Sequence, residues 1–318
     1  MKRFFSVHDC ADIHALIDKA LIYKKHPFAD DDAGKRKTLG LVFFNSSLRT
    51  RLSTQKAAHN LGLNTMIINA GTESWKMEFE DGSIMGGTTV EHIKEGAAVL
   101  GEYCDIIGVR SFAELQNREK DYSEEIFHKI EHYSQRPTIS LESATRHPLQ
   151  SLTDMITIRE IMGEKKPRIV LTWAPHPKAL PQAVANSFLE WSKVYGADIT
   201  ITHPEGYELS DEFAADIPIE YNQEKALEGA DIVYAKNWSA YHEYGAVIKS
   251  DREWIINAEK MSLTHNGALL HCLPTRRNYE LADNVLDSPS SYVIRQASNR
   301  VWAAQAVLSD ILHSQDMR

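Results

Sequence analysis

Apolar runs and helical patterns alternate along almost the whole chain. The predicted strands are Leu39–Phe44, Thr65–Ile68, Asp105–Val109 and Thr138–Leu141, followed by Arg168–Trp173, Asp198–Thr202, Asp231–Tyr234 and Ala268–Cys272. The predicted helices are Ser47–Leu61, Glu91–Leu100, Leu149–Met162, Pro181–Tyr195 and Arg300–His313, and Ser6 and Asp9 are spaced as a capping box ahead of one more. Strands that alternate with helices indicate parallel sheets with right-handed crossovers. The predicted fold is therefore α/β, with two doubly wound parallel-sheet domains.

Chain length and the grouping of these elements predict two domains. The 318 residues favour two domains, each large enough for its own core. The two sets of strands separate near residues 143–150. Ligands of doubly wound folds bind beyond the carboxyl ends of the strands, so we expect the chemistry in the loops that follow them.

Charge and cysteine content narrow the function classes. The 35 Lys and Arg residues against 44 Asp and Glu give a net charge of −9, which argues against binding of a nucleic-acid backbone. A small anionic substrate needs only a few local cations. The three cysteines lack C-x-x-C spacing, which argues against a disulfide framework and a structural zinc site. No apolar run reaches the ~18–20 residues of a membrane span. We expect a reduced, cytoplasmic, soluble protein.

The segment Phe43–Arg51 is a candidate anion site. It joins a predicted buried strand to a predicted helix, and the free N–H groups and positive dipole at a helix start favour an anion. Ser47 and Thr50 add hydroxyl donors, and Arg49 can hold a phosphate through two parallel N–H bonds. The alternative is an ordinary N-cap followed by surface arginines. The segment lacks the glycines of a nucleotide P-loop, and no strand is followed by a dinucleotide fingerprint.

Three further predicted strands lead into polar or reactive residues. One ends at Arg110, a second ends at Glu142 ahead of His147–Gln150, and a third runs into His271–Pro274. Singly, each has an ordinary explanation: Arg110 is typical of a surface cation, His147 of a helix start and Cys272 of a small buried residue. Together, these strand ends and the helix start at Ser47 are expected to converge on one crevice.

The order of these segments resembles the aspartate/ornithine carbamoyltransferase family. The motifs are Ser-x-Arg-Thr-Arg at 47–51, an arginine at 110, His-Pro-x-Gln at 147–150 and His-Cys-Leu-Pro at 271–274. The resemblance covers essentially the whole chain. It implies transfer of a carbamoyl group from carbamoyl phosphate to an amine of an amino acid, without a metal or a cofactor.

The resemblance also implies a domain and subunit organisation. Residues 1–145 would bind carbamoyl phosphate, residues 146–296 would bind the amino acid, and the C-terminal helix, 297–318, would pack back on the first domain. Members of the family are homotrimers with active sites at subunit interfaces. The stretch Trp173–Pro181 resembles the proline-rich loop at which relatives that use acylated ornithine form a knot, so a deep knot is expected in the second domain.

Carried over residue by residue, the resemblance gives roles to named side chains. The phosphate would meet the helix start at 47–50, and the carbonyl oxygen would meet Arg110 and His147. The amino group would meet Gln150 and the backbone of Cys272. The carbamoyl-phosphate set is Ser47, Leu48, Arg49, Thr50, Trp75, Arg110, His147, Pro148, Leu149, Gln150, Cys272, Leu273 and Arg300, with Arg49, Thr50, Arg110, His147, Gln150 and Cys272 as catalytic candidates. The set for the amino-acid substrate is Val90, Glu142, His176, Lys236 and Leu273.

Two departures from ordinary ornithine carbamoyltransferases point to a substrate acylated at its α-amino group. Those enzymes grip this group with an aspartate in Asp-x-x-x-Ser-Met-Gly, whereas the matching region here, 235–245, has Lys236 and aromatic residues. A lysine suits a carboxylate or an amide oxygen, which favours an ornithine acylated at the α-amine. The alternative is a surface lysine in a variable loop. Trp75 matches a tryptophan that acylornithine-using relatives lend to a neighbouring subunit, the alternative being a buried core tryptophan.

Val90 bears on the acyl group. Acetylornithine-using relatives tend to have a glutamate there, which would repel an acyl group that ends in a carboxylate. Valine removes that charge and favours succinyl over acetyl, although proline is the residue expected in succinylornithine-using relatives. We therefore expect carbamoyl transfer to the δ-amine of N-succinylornithine in arginine biosynthesis. Two alternatives stay open: the same chemistry on N-acetylornithine, and a non-catalytic anion-binding subunit on the same fold.

Overall fold

The computed structural model describes residues 1–248 and 252–316 and divides into two compact units. The first unit comprises residues 1–114, 119–149 and those from Arg300 onward, and the second comprises residues 115–118 and 150–299. Each unit is built on its own parallel sheet. The predicted α/β class, with two parallel-sheet domains, is confirmed.

The first unit holds a five-stranded parallel sheet. Its strands are β1 (Arg3–Phe4), β2 (Thr38–Phe43), β3 (Asn64–Asn69), β4 (Met77–Glu78), β5 (Glu91–His92), β6 (Ile106–Arg110) and β7 (Thr138–Glu142). Its helices are α1 (Ile13–Lys25), α2 (Leu48–Asn60), α3 (Ile93–Tyr103), α4 (Arg118–Tyr122, of which Arg118 belongs to the second unit) and α5 (Glu125–Ser134). The main sheet has the order β1-β7-β6-β2-β3, and β4 pairs with β5 separately. The carboxyl ends of β2, β6 and β7 therefore lie side by side.

Close packing in this unit explains a small residue inside β2. Val42 and Val109 on the strands share a buried apolar cluster with Phe5 and Phe127, whose ring centroids are 4.7 Å apart. A Cβ atom on Gly40 would lie 2.6 Å from the Sγ of Cys104. Only glycine therefore lets the end of α3 approach the strand this closely.

The second unit holds a four-stranded parallel sheet of order β11-β10-β8-β9. Its strands are β8 (Arg168–Trp173), β9 (Asp198–Thr202), β10 (Ile232–Lys236) and β11 (Ala268–Leu270). Its helices are α6 (Pro148–Met162, which starts in the first unit), α7 (Ala183–Tyr195), α8 (Asp211–Ala214), α9 (Gln223–Leu227), α10 (Ala258–Ser262), α11 (Asp283–Leu286) and the start of α12 (Val293–Asp316). All five residues of β10 are buried, as a central strand of a parallel sheet requires.

Four predicted helix starts were wrong. The helix predicted from Glu91 begins at Ile93, because Glu91 and His92 form β5. The capping box of Ser6 and Asp9 closes a 3₁₀ turn, Val7–Asp9, whereas Asp12 caps α1. The helix predicted from Pro181 begins at Ala183. The helix predicted from Arg300 begins seven residues earlier, at Val293, because Gln296 and Asn299 form buried polar contacts that an apolar-stripe argument overlooks.

The C-terminal helix α12 contributes to both units. From Arg300 onward it belongs to the first unit, where Gln305 accepts a 2.9 Å hydrogen bond from Asn60 on α2 and Ser309 accepts one of 2.7 Å from the hydroxyl of Tyr23. These contacts pair polar side chains that folding buries, which offsets part of their desolvation cost. Across residues 1–248 and 252–316, no helix, α12 included, is both long and apolar enough to cross a bilayer.

Acid should destabilise the second unit through His203, which follows β9 and is fully buried. Its Nδ1 lies 2.9 Å from the carbonyl oxygen of Pro204, and burial lowers its pKa below the ordinary value of about 6.5. The unfolded chain then binds more protons than the folded chain, so stability is present above this value and is lost as the pH falls. Urea unfolding from about pH 7.5 to about pH 5.5 should show the loss, and His203→Asn should reduce it. The exposed His26→Asn is the control, and an equal slope in all three proteins would contradict the prediction.

Candidate active site

The turn from β2 into α2 forms the predicted anion-site segment. Ser47 is the N-cap of α2, and its Oγ accepts a 3.3 Å hydrogen bond from the N–H of Thr50. Ser46, Ser47, Leu48 and Arg51 line a concavity at this helix start, and Leu48 is exposed. The N-cap interpretation is therefore correct locally, and it is compatible with an anion site, because one cap leaves other first-turn N–H groups without helical partners.

Thr50 links this helix start to α12. Its side chain is almost completely buried, and its Oγ1 accepts a 2.7 Å hydrogen bond from Nη2 of Arg300. The guanidinium of Arg300 is itself buried. The structure thus brings two predicted site residues together that are 250 positions apart in the chain.

Arg110, Glu142 and His147 form a buried polar cluster at the neighbouring strand ends. Nη2 of Arg110 lies 3.0 Å from Oε2 of Glu142, and Nε2 of His147 lies 3.5 Å from the same oxygen. Nη1 of Arg110 donates to the carbonyl oxygens of Asn45 and Ser46, both at 2.9 Å. The interpretation of Arg110 as a surface cation is wrong, since all three side chains of the cluster are buried.

A register shift between β6 and β7 creates this cluster. Val109 pairs with Ser140, but the next residue, Arg110, pairs with Glu142, so one residue of β7 is skipped. Without the shift Arg110 would face Leu141. Directly opposed residues of neighbouring strands point to the same face, so the shift lets the two charged side chains meet.

Glu124 is a buried carboxylate of the first unit that the sequence analysis missed. It accepts hydrogen bonds from the hydroxyl of Ser143 at 2.7 Å, from the N–H of Ala144 at 3.3 Å and from the N–H of Thr145 at 2.7 Å, and also from the hydroxyl of Thr145. Burial raises the pKa of Glu124, and these hydrogen bonds oppose that rise. The carboxylate therefore holds the loop between Glu142 and His147. A polar Glu before a helix gives no sequence signal of this role.

In the second unit, Gln150 belongs to a network centred on Asp154. Nε2 of Gln150 and Nε2 of Gln296 each donate to Oδ1 of Asp154 at 2.7 Å. Oε1 of Gln296 accepts a 2.9 Å hydrogen bond from the N–H of His271. Asp154 is the second residue that sequence reasoning missed; its position one helical turn after Gln150 was the available signal.

The other predicted residues of the second unit follow its strands. Leu273 has a left-handed φ of 54°, and its N–H donates to Nδ1 of His271 at 2.9 Å. Lys236 is the last residue of β10, only 8% exposed, with its Nζ 2.8 Å from the carbonyl oxygen of Asn237. The interpretation of Lys236 as a surface lysine is therefore wrong. His176 accepts a 3.1 Å hydrogen bond at Nε2 from Nε of Arg276.

Trp75 and Val90 lie beside the small β4–β5 sheet of the first unit. Trp75 is 55% exposed, and its Nε1 donates to Oε2 of Glu91 at 2.6 Å. Val90 is exposed, and its N–H donates to the carbonyl oxygen of Lys76 at 3.1 Å. The interpretation of Trp75 as a core residue is therefore wrong. An exposed tryptophan and an exposed valine on one loop form a surface suited to contact with another molecule.

Two models of known protein families match the chain. A model described as the carbamoyl-phosphate-binding domain of aspartate/ornithine carbamoyltransferase matches residues 2–160, and one described as the aspartate/ornithine-binding domain matches residues 181–311. The chain belongs to the aspartate/ornithine carbamoyltransferase family. The family predicted from the four motifs is thus confirmed.

Individual carbamoyltransferases are similar over their full length. The N-succinylornithine carbamoyltransferase of Bacteroides thetaiotaomicron is 50% identical over 314 residues, which cover 98% of this chain and 99% of that protein. The N-acetylornithine carbamoyltransferase of Xanthomonas campestris pv. campestris is 35% identical over 335 residues, with 98% of each protein covered. A crystal structure of an N-acetylornithine transcarbamylase mutant, with one glutamate replaced by valine, contains carbamyl phosphate and N-succinyl-L-norvaline. It matches with a TM-score of 0.93 at 35% identity, covering 98% of this chain and 100% of that one.

Removing the carboxylate of the buried cluster should cost much more stability than removing an exposed one. Glu142→Gln leaves Arg110 buried without a charged partner, and we expect the free energy of unfolding to fall by about 3 kcal/mol. The control is Glu164→Gln, because Glu164 pairs with Arg159 at 2.7 Å but its side chain is 85% exposed. We expect less than about 1 kcal/mol there. Urea unfolding followed by tryptophan fluorescence measures both, and equal losses would contradict the prediction.

Proposed function

We propose that this carbamoyltransferase moves the carbamoyl group of carbamoyl phosphate to the δ-amine of N-succinylornithine, giving N-succinylcitrulline and phosphate for arginine biosynthesis. The observation that carries the proposal is the 50% identity over the full length of an N-succinylornithine carbamoyltransferase. The buried Lys236 and the uncharged Val90 support the acyl part of it.

The two parts of the chain would divide the substrates. Residues 1–145, with the C-terminal helix 297–318, would bind carbamoyl phosphate, and residues 146–296 would bind the acylornithine. The descriptions of the two matched family domains support this division. In the first part, Ser47, Arg49 and the backbone at Leu48 would hold the phosphate, since the helix start supplies N–H donors and positive potential to it.

The donors around the carbamoyl oxygen would provide the catalysis. The neutral δ-amine attacks the carbamoyl carbon, the new C–N bond forms, and negative charge grows on the carbonyl oxygen before the bond to phosphate breaks. Thr50, Arg110 and His147 would surround that oxygen. The buried Nε of Arg110 has no hydrogen-bond partner among the described residues, so it can donate there. Each well-placed donor contributes about 3–4 kcal/mol to the barrier reduction, and the departing phosphate can accept the proton of the amine.

The acyl group would be recognised by charge. Lys236 would meet an amide or carboxylate oxygen of the acylated α-amine, with His176, Glu142 and Leu273 around the rest of the substrate. We take the glutamate replaced by valine in the mutant with bound N-succinyl-L-norvaline as the one that acetylornithine-using relatives have at position 90. On this basis the native Val90 is the residue that admits a succinyl group.

The assembly belongs to the same proposal. The chain would act as a cytoplasmic homotrimer, in which the exposed Trp75 reaches the carbamoyl-phosphate site of a neighbouring subunit, and its second domain would contain the knot. An indole with most of its surface in water and an N–H already bonded to Glu91 is suited to such a contact.

The test of the function is product formation from carbamoyl phosphate with ornithine, N-acetylornithine and N-succinylornithine in parallel. Turnover with the succinyl compound alone supports the proposal. Preference for the acetyl compound keeps the chemistry and overturns the acyl assignment. Absence of turnover with all three would favour a non-catalytic anion-binding subunit.

Arg49→Ala should abolish turnover without unfolding the protein, because Arg49 would hold the phosphate and lies on α2 at a partly exposed position. We expect kcat/KM for carbamoyl phosphate to fall by at least ~100-fold, as expected when a charged contact to the reacting group is lost. The matched control is Lys56→Ala, which removes a cation from the exposed side of the same helix. Near-normal turnover of the Arg49 variant, with unchanged circular dichroism, would refute the phosphate role.

Val90→Glu should shift preference from N-succinylornithine toward N-acetylornithine, because the new carboxylate repels the acid group of the succinyl chain. We expect the ratio of the two kcat/KM values to change by about tenfold or more, which corresponds to about 1.4 kcal/mol. Val90→Gln is the control, since it adds similar bulk without charge. An unchanged ratio in the glutamate variant would show that residue 90 does not face the acyl group.

A further inference from the structure

Asp154 is a fully buried carboxylate on α6 for which neither the motifs nor the family resemblance gives a role. One of its oxygens, Oδ1, accepts hydrogen bonds from two glutamine amides, Gln150 on the same helix and Gln296 on α12, both at 2.7 Å. These two donors offset part of the cost of burying the carboxylate, because an unpaired charge in the interior is costly.

The acceptor-only chemistry of a carboxylate fixes how the two amides are turned. An ionised carboxylate cannot donate, so each glutamine must present its NH₂ group to Asp154. The oxygen of each amide then points away from the carboxylate. For Gln296 this oxygen accepts the N–H of His271 at 2.9 Å, which shows that the amide has the orientation that Asp154 requires.

The second amide is linked to the segment after β11. The N–H of His271 is held by Gln296, and Nδ1 of His271 accepts the N–H of Leu273 at 2.9 Å. The backbone from His271 to Leu273 is therefore connected to Asp154 through a chain of directed hydrogen bonds. On β10, burial, Asp154 and Cys272 raise the pKa of Tyr234, so this buried hydroxyl stays neutral.

We infer that Asp154 is a positioning residue that sets the two acceptors for the amino group of carbamoyl phosphate: the amide oxygen of Gln150 directly, and the backbone at Cys272 and Leu273 through Gln296 and His271. This inference rests on the proposed function, which gives Gln150 and Cys272 their contact with that amino group. An amino group has two N–H donors and needs two acceptors. If the amide of Gln150 were reversed, its NH₂ would meet the NH₂ of the substrate, and both would lose a hydrogen bond.

The consequence is a preference for a carbamoyl group over an acetyl group. Acetyl phosphate has the same phosphate and carbonyl, but a methyl group stands where carbamoyl phosphate has its amino group. Asp154 should therefore contribute to binding of carbamoyl phosphate and contribute nothing to binding of acetyl phosphate or inorganic phosphate. A purely structural role would affect all three ligands alike.

The experiment compares the wild type with Asp154→Ala and Gln296→Ala, using the full chain. The KM for carbamoyl phosphate and the inhibition constants of acetyl phosphate and inorganic phosphate are measured in steady-state assays. We expect the KM to rise by about tenfold in Asp154→Ala, the effect of about one neutral hydrogen bond. The inhibition constants should stay within about twofold. Gln296→Ala should show the same selective pattern with a smaller rise, and it keeps the test valid if Asp154→Ala does not fold.

The matched control is Thr157→Val on the same helix. Thr157 is buried and accepts a 3.0 Å hydrogen bond from Asn299 of α12, so the variant disturbs an α6–α12 contact without touching Gln150 or Gln296. Its KM should stay at the wild-type value. Parallel weakening of all three ligands in the Asp154 and Gln296 variants, or an unchanged KM, would overturn the inference. Absence of turnover in the wild type would instead overturn the proposed function.

Discussion

Parallel strand pairing decides where the chemistry of the first unit can lie. Every neighbouring pair among β1, β7, β6, β2 and β3 runs in the same direction, so loops that follow strands far apart in sequence meet at one edge of the sheet. In this register Phe43 pairs with Arg110, and Arg110 pairs with Glu142. The anion-site segment, the arginine and the carboxylate are neighbours for that reason, and the skipped residue of β7 is what turns the two charges toward each other.

Three buried carboxylates illustrate how a charge inside a protein becomes a positioning device. Glu142 faces a guanidinium, Glu124 accepts the donors of a tight loop, and Asp154 accepts two amides. A charge removed from water needs compensation from several directed donors. Since a carboxylate accepts and never donates, each one dictates which end of a partner group faces it. Local order around such a group is therefore high.

The strand pattern of the fold could be read from the sequence, and the long-range polar contacts could not. Arg168–Trp173 was predicted at its observed bounds, because a run of buried β-formers in a parallel sheet has few alternatives. The capping box at Ser6 was assigned to the start of a helix. The same spacing also suits the 3₁₀ turn that the structure has there. Glu124 gave no recognisable signal, since an acidic residue is ordinarily on the surface. Asp154 offered only its position one helical turn after Gln150. Arg110, Lys236 and Trp75 show the converse. A cation is ordinarily exposed and a tryptophan ordinarily buried, and only the structure shows that these two cations are buried and this indole is exposed.

Helix α12 holds Arg300 and Gln305 five residues apart, and each has a partner on α2 that tolerates little displacement: Thr50 for the first and Asn60 for the second. One residue inserted or deleted between them would turn one side chain by about 100° and move it about 1.5 Å along the axis relative to the other. Both hydrogen bonds could not survive that change. The length of this stretch of helix is therefore fixed by its two partners, independently of the identity of the residues between them.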